Sequence, residues 1–444
     1  MELACHIAIV TFEQMWRDLE PLGRDPTSAG YRRAPFAAAE RECVDWYVEE
    51  ARRRGLDIEW DGQGNAVAWW SPSPVADAPA SSARAAESAA SHPAAAATLS
   101  GNKGSASERR PTSGDILIGS HLDSVDNGGA FDGPLGVASS FAAIDILRNQ
   151  SFRPTRRIGV AMFVEEEGSR FGIACLGSRL ATGQLRPQEA AELRDRHGVF
   201  LLDAMAEAGI EPHLGPSPLL RDVARFVELH VEQGRDLVHR DRAVAVASVS
   251  WAHGRWRFDF TGQANHAGAT PMQDRQDPML TYAMTALAAN KQARLADSRA
   301  TFGRVAVQPN VTNAVPERVQ AWLDARSADA TSLDALVESI VRQATERADR
   351  DGTSLEVTAE SVSPTVEFDR PLAQQLSKIL DGAPVIATGA GHDAGILQLA
   401  GIPSAMLFVR NPTGISHSPE ERAEMADCLA GVAALARVLE GLAA

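Results

Sequence analysis

Hydrophobic positions along the chain recur with two different periods. In residues 36–55, Val44, Tyr47, Val48 and Ala51 fall at i, i+3, i+4 and i+7, which predicts a helix that stops at Gly55. LDIEW and NAVAWW, separated by the turn-like DGQG, predict a strand pair. The apolar runs Ile116 to Ile118, Ile158 to Val164 and Phe226 to Val231 predict buried strands, each followed by polar residues. Further on, RWRFDF at 255–260 alternates strictly, DPMLTYAMTALAANKQARLA reads as a helix, and Arg304 to Val307 and Arg318 to Asp324 read as strands. Leu333, Leu336, Val337, Ile340 and Val341 then form one helical face behind a Thr331-x-x-Asp334 cap, and LEVTAESV closes as a strand. The order β-α-β-β-α-β is that of a ferredoxin-like unit.

These elements predict an α/β protein of two domains. A small domain at 240–360 is inserted into a larger α/β domain made of 1–239 and 361–444, which resumes with RPLAQQLSKIL and ends in a helix. Residues 71–113 turn Ala-, Ser- and Pro-rich with almost nothing large to bury, so they are expected to be a disordered insertion without a catalytic role, and His92 within it to be solvated.

Composition narrows the class. With 44% hydrophobic and 23% charged residues, the 444-residue chain has enough apolar material for a large core and is not of disordered type. A formal net charge of −15 argues against nucleic acid or anionic membrane as a partner, because phosphates would be repelled. Cys5, Cys43, Cys175 and Cys428 are scattered without a C-x-x-C pair, which suggests reduced thiols in the cytoplasm. The N-terminal segment lacks the basic and apolar regions of an export signal, and no apolar run is long enough to span a membrane.

Chemistry concentrates where predicted strands end. GSHLDSVDNGGAFDGP at 119–134 groups His121, Asp123 and Asp132. A strand-end His beside a carboxylate is commonplace by itself. VEEEGSRF at 164–171 sets three carboxylates in a row after an apolar strand, where a solvated surface run is the plain alternative and a bound cation explains buried charge better. ELHVEQG carries His230, and GISHSPEE carries His417. Four such fragments at strand or loop ends make coincidence a poor explanation.

Together with FVELHVEQG, GQANHAGATPM, PNVTNAVP and GAGHDA, these fragments resemble the hydantoinase/carbamoylase amidohydrolases of the M20 metallopeptidase clan. That family includes N-carbamoyl-L-amino acid hydrolases, β-ureidopropionases and allantoate amidohydrolases. The resemblance implies the two-domain M20-like fold with a lid and dimerisation domain, two divalent metal ions per subunit, and a homodimer. It implies cleavage of the ureido C–N bond of a small carboxylated substrate with release of ammonia. Carried over by position, His121 and His230 would hold one metal, Glu167 and His417 the other, and Asp132 would bridge. Asp123 would orient His121, and Glu166 would be the general base. Gln233, His266, Asn313, Arg326, and Gly391 and His392 of the GAGHDA loop would contact substrate, some of them reaching across from the partner subunit. Mixed N and O donors suit Zn²⁺, Mn²⁺, Co²⁺ or Ni²⁺.

Three other readings stand beside this one. GAGHDA fits G-x-G-x-x-A after VIAT, the form of a dinucleotide-binding turn, although the position about 20 residues on is Asn411, not an acid. An M20 aminoacylase or exopeptidase would cut an amide or peptide bond with the same ligands. A non-catalytic metal-binding scaffold would need the ligands without the base.

Overall fold

The computed structural model describes residues 11–72 and 114–444. The composition-biased stretch, with His92, lies outside the described residues apart from its first two positions, as does Cys5.

Four largely apolar strands lie parallel at the centre of a nine-stranded sheet, in the order Ile158–Phe163, Asp115–His121, Val223–Val231 and Ser404–Val409. Side chains alternate across a strand, so each central strand feeds two cores. Ile118, Val160, Leu229 and Leu407 pack on one face beneath the helices Pro134–Asn149 and Met425–Ala443. Leu117, Ala161, Phe226 and Met406 pack on the other, against Leu397 of the helix Asp393–Leu399. A strand covered on both faces has no solvent side, which is why these segments read as runs rather than alternations. Burying each large side chain contributes roughly 1.5–3 kcal/mol, so the strands form a rigid platform. Asp57–Trp60 and Ala66–Trp70 extend one side antiparallel, as their predicted pairing requires.

A second, four-stranded antiparallel sheet runs Ser354–Ser363, Ala252–Thr261, Arg318–Ser327 and Arg299–Gln308, so Arg299–Gln308 is an edge strand. Helices Pro278–Leu295 and Ala330–Asp351 cover one face and bury Phe258, Phe260, Val319, Ala321 and Leu323. The chain order of these elements is the β-α-β-β-α-β expected. It is entered from Val244–Ser250 and left through Val366–Glu367, and both of these pair within the large sheet.

Of two local expectations about helix ends, the first holds and the second differs. The helix Ala38–Arg53 ends where Leu56 N–H donates to Ala51 C=O at 3.0 Å and Gly55 adopts a φ of 58°, so Gly55 is the left-handed residue just past the end. The helix Ala330–Asp351 is capped by Asp329, whose carboxylate accepts the Ser332 N–H at 2.9 Å, and not by Thr331. Asp329 is already extended, so the helix starts two residues before the predicted box.

Candidate metal centre and cleft

The carboxyl ends of the parallel strands converge, and ligand sites of open α/β sheets form there. His121 is the last residue of its strand and His230 the last but one of Val223–Val231. Glu166 and Glu167 follow Ile158–Phe163, and His417 lies in the loop after Ser404–Val409 with a φ of 55°. Asp132 precedes the helix at Pro134. Between them Gly133 has a φ of 87°, and a Cβ there would come within 2.5 Å of His121 Cε1.

Asp132 sits at the centre of the group. Its Oδ1 lies 3.1 Å from His230 Nε2 and 3.6 Å from His121 Nε2, and its Oδ2 lies 3.3 Å from His417 Nε2. Glu167 Oε2 is 3.4 Å from His417 Nε2, and Glu166 Oε2 is 3.7 Å from His121 Nε2. His121, Asp132 and His230 form one set able to converge on an ion, and Asp132, Glu167 and His417 form another. Burial alone would raise the Asp132 carboxyl, yet the His230, His121 and His417 imidazoles hold it well below its ordinary range. Burial would lower His121, but Glu166, Asp123 and Asp132 hold it well above the usual histidine value.

The donor chemistry fits divalent metal ions. His121 Nδ1 faces the Asp123 carbonyl at 3.1 Å and His230 Nδ1 faces the Val231 carbonyl at 2.9 Å. Each Nδ1 therefore carries a proton, and each Nε2 faces the Asp132 carboxylate, where either a proton or a divalent cation can sit between the two. His121 Nε2, His230 Nε2 and Glu167 Oε1 are buried without a hydrogen-bond partner, as metal ligands would be.

The three successive carboxylates take different roles. The strand ends at Phe163, and Glu165 turns the chain with a φ of 55°. The Glu166 and Glu167 N–H groups both donate to the Asp123 carboxylate, each at 3.2 Å. Asp123 Oδ1 also lies 3.3 Å from His121 Nδ1. The turn sends Glu166 toward His121 and His392, and Glu167 toward His417. Glu165 leaves the group and accepts the Phe171 N–H at 2.7 Å and the Arg170 N–H at 3.1 Å. Burial pushes Glu166 well above its ordinary range, with Asp393, Glu167 and Asp132 adding repulsion against the pull of His121.

Several buried residues complete the site without having been singled out in the sequence. Glu421 Oε1 accepts the N–H groups of Phe131 at 2.9 Å and Asp132 at 3.0 Å, while Ser416 donates to Oε2 at 2.7 Å. Glu228 accepts from Ser120 Oγ at 2.7 Å and from the Ala394 N–H at 3.0 Å. Both acids belong to motifs quoted for their histidines, and a glutamate in an apolar strand was the available signal for Glu228.

Above the candidate metal centre lies a cleft lined by Gln233, Arg326, Gly391 and His392, together with Arg179, His253 and Arg255, which sequence reasoning missed. Gln233 Nε2 donates to Asp132 Oδ2 at 2.8 Å. His392 is buried, with Nδ1 3.6 Å from Glu166 Oε1, and its ring centroid is 4.4 Å from that of His230. Arg326 forks onto Asp324 at 2.8 and 3.0 Å and donates to the Gly389 carbonyl at 3.0 Å. His266 and Asn313 do not line this cleft: they are exposed beside the short Ala314–Val315 pairing, with the Ala267 N–H bonded to Asn313 C=O at 3.0 Å. The GAGHDA segment does join a strand to a helix, but Asp393 at the helix start puts a carboxylate where a dinucleotide phosphate would sit, bonded to Ser178 Oγ at 2.5 Å.

The model of peptidase family M20/M25/M40 matches residues 117–441, and the chain belongs to this family. It is 33% identical over 438 residues to an N-carbamoyl-L-amino acid amidohydrolase of Geobacillus stearothermophilus, covering 95% of this chain and 96% of that one. It is 32% identical over 334 residues to the allantoate amidohydrolase of Escherichia coli, covering 74% and 81% of the two chains. The solved amidase of the hydantoinase/carbamoylase family from Burkholderia vietnamiensis superposes with a TM-score of 0.83 at 26% identity, covering 99% of both chains. No helix among the described residues is long and apolar enough to cross a membrane.

Proposed function

We propose that this protein is a metal-dependent amidohydrolase that cleaves the ureido C–N bond of a small carboxylated substrate, such as an N-carbamoyl-L-amino acid or allantoate, and releases ammonia. The observation that carries the reading is the buried Glu166 carboxylate set beside facing His, Asp and Glu donors at the floor of an arginine-lined cleft. His121 and His230 would hold one divalent ion, Glu167 and His417 a second, with Asp132 shared; Zn²⁺, Mn²⁺, Co²⁺ and Ni²⁺ all suit these donors. Ions held there supply Lewis acidity, polarising a carbonyl oxygen and making water more acidic.

The chain's own groups do the rest. Glu166 takes the proton from the attacking water and returns it to the departing nitrogen. Asp123 acts behind the centre, holding the Glu166–Glu167 turn and the His121 ring. Because Asp132 can only accept, the Gln233 amide must turn its nitrogen there, which leaves Gln233 Oε1 buried without a partner and able to accept a ureido N–H. Arg326 has donors beyond its three bonds for a substrate carboxylate, and Gly391 and His392 line the same wall.

A homodimer completes the reading. Leu280, Met284, Leu287 and Leu295 are 45%, 45%, 66% and 73% exposed along the helix Pro278–Leu295, next in the chain to the edge strand Arg299–Gln308. An apolar stripe beside an open strand edge is what a subunit interface covers. His266 and Asn313, remote from their own cleft, would then serve the partner's. Buried free thiols at Cys43, Cys175 and Cys428 accord with a cytoplasmic setting.

The test is ammonia release from N-carbamoyl-L-amino acids, N-carbamoyl-β-alanine and allantoate, before and after chelation. Activity lost to chelator and restored by a divalent metal supports the proposal. Hydrolysis of dipeptides or N-acyl amino acids with no ammonia from any ureido compound overturns it in favour of an exopeptidase or aminoacylase.

A further inference from the structure

The four-stranded sheet turns a wholly polar patch toward the cleft. In register, His253 lies between Arg326 and Ser363, and Arg255 lies between Asp324 and Ser361. All six residues line the cleft. Alternation sends their neighbours Ala252, Trp256, Leu323 and Ala325 to the helix-covered face. Arg179 closes the opposite wall, donating through Nε to the Ala174 carbonyl at 3.0 Å and through Nη2 to Ser363 Oγ at 2.8 Å.

The charges of this outer cleft do not balance. Arg179, Arg255 and Arg326 bring three positive charges; of the four carboxylates lining the cleft, Asp132, Glu166 and Glu167 belong to the donor cluster at its floor, so Asp324 alone answers the guanidiniums on the outer walls, a local net of about +2. One substrate carboxylate on Arg326 leaves the other guanidiniums unmatched. Arg255 is weakly held: it reaches the Glu167 and Gly172 carbonyls only at 3.5 Å and Asp324 at 3.9 Å. His253 adds an acceptor, because its Nδ1 faces the Trp251 carbonyl at 3.0 Å and leaves Nε2 bare. Ile173 is the one cleft-lining side chain among the described residues that is both large and apolar. An aliphatic group seated here would strip water from guanidiniums and give nothing back.

We propose that Arg179 and Arg255 form a subsite for an oxygen-bearing substituent on the substrate's α-carbon, so the enzyme favours ureido acids with a second carboxylate or second ureido carbonyl over those with apolar side chains. This rests on the ureido-cleaving reading above. A planar carboxylate or ureido oxygen matches a guanidinium fork, and a second negative charge answers the excess.

The experiment compares kcat/KM for ammonia release from N-carbamoyl-L-aspartate, allantoate and N-carbamoyl-L-leucine in the wild type and in Arg255→Gln and Arg179→Gln. The wild type is expected to favour the aspartate compound or allantoate over the leucine compound at least tenfold, the first implying a second charge and the second a carbonyl as the recognised group. Each variant is expected to shrink its preference at least tenfold. The preference is a ratio within one preparation, so partial loss of folded protein cancels. Leucine compound used as well as both others, or a preference untouched in both variants, overturns the subsite while leaving ureido cleavage standing. Ammonia from none of the three overturns the parent reading.

Discussion

The main-chain N–H of Asp132 donates to Glu421 Oε1 at 3.0 Å, although 289 positions separate the two residues along the chain. The same oxygen takes the Phe131 N–H, and the second oxygen takes the Ser416 hydroxyl, one residue before His417. One buried carboxylate thus fixes the loop of the central aspartate to the loop of the last histidine. Asp123 does the same on the opposite side for Glu166 and Glu167.

Glu421→Ala should therefore loosen the metal centre without removing a ligand. Groups that orient metal ligands from behind are typically worth about 10–100-fold in metal affinity. Competition of the purified variant with a chromophoric chelator for Zn²⁺ should show a loss of that size, smaller in Glu421→Gln, which keeps an acceptor for the two N–H groups. Wild-type affinity in Glu421→Ala would remove the positioning role.

Glu166→Gln should separate binding from chemistry. Its side chain reaches neither Asp132 nor His417, so metal content by elemental analysis should stay near wild type. Ammonia release should fall by roughly 10²–10⁴ with the loss of proton transfer. A variant that turns over at near the normal rate would exclude Glu166 as the base.

Leu287→Glu places a charge in the middle of the exposed stripe on Pro278–Leu295. On the homodimer proposed above, the wild type should sediment as a dimer and the variant as a monomer that has lost most activity, because His266 and Asn313 do not line their own cleft. A monomer with unchanged kcat and KM would show that neither residue acts across an interface.

Glu40 offers a pH test away from the metal ligands. Burial, helped by repulsion from Asp123, pushes its carboxyl from 4.5 up to about 8. A raised acid keeps its proton in the folded state where the unfolded chain has released it. Stability should thus fall as pH rises between about 4.5 and 8, by up to about 1.4 kcal/mol per pH unit for one group. Glu165 and Asp393 are raised to about 8 as well, so Glu40→Gln should make the decline shallower without abolishing it. Urea unfolding at pH 6 and pH 9 measures this; equal slopes in both proteins would show that Glu40 is not held protonated.

Sequence alone determined the central strands and the order of elements around the small sheet, but not the start of Ala330–Asp351 or the helix Pro134–Asn149. The apolar runs before His121, the three glutamates and His230 are strands because burial on both faces leaves no other pattern. Alternation from Val319 to Arg326 puts Arg326 on the face away from the helices, a placement the sequence pattern carries by itself. Tertiary structure decided which ends meet. Periodicity reports burial along one element, whereas convergence depends on strand order and register, which join residues hundreds of positions apart. The positive φ that turns Glu165 aside, the Glu421 clamp, and the cross-strand rows that set Arg255 beside Asp324 and His253 beside Arg326 all come from such pairings, and no single stretch of chain carries them.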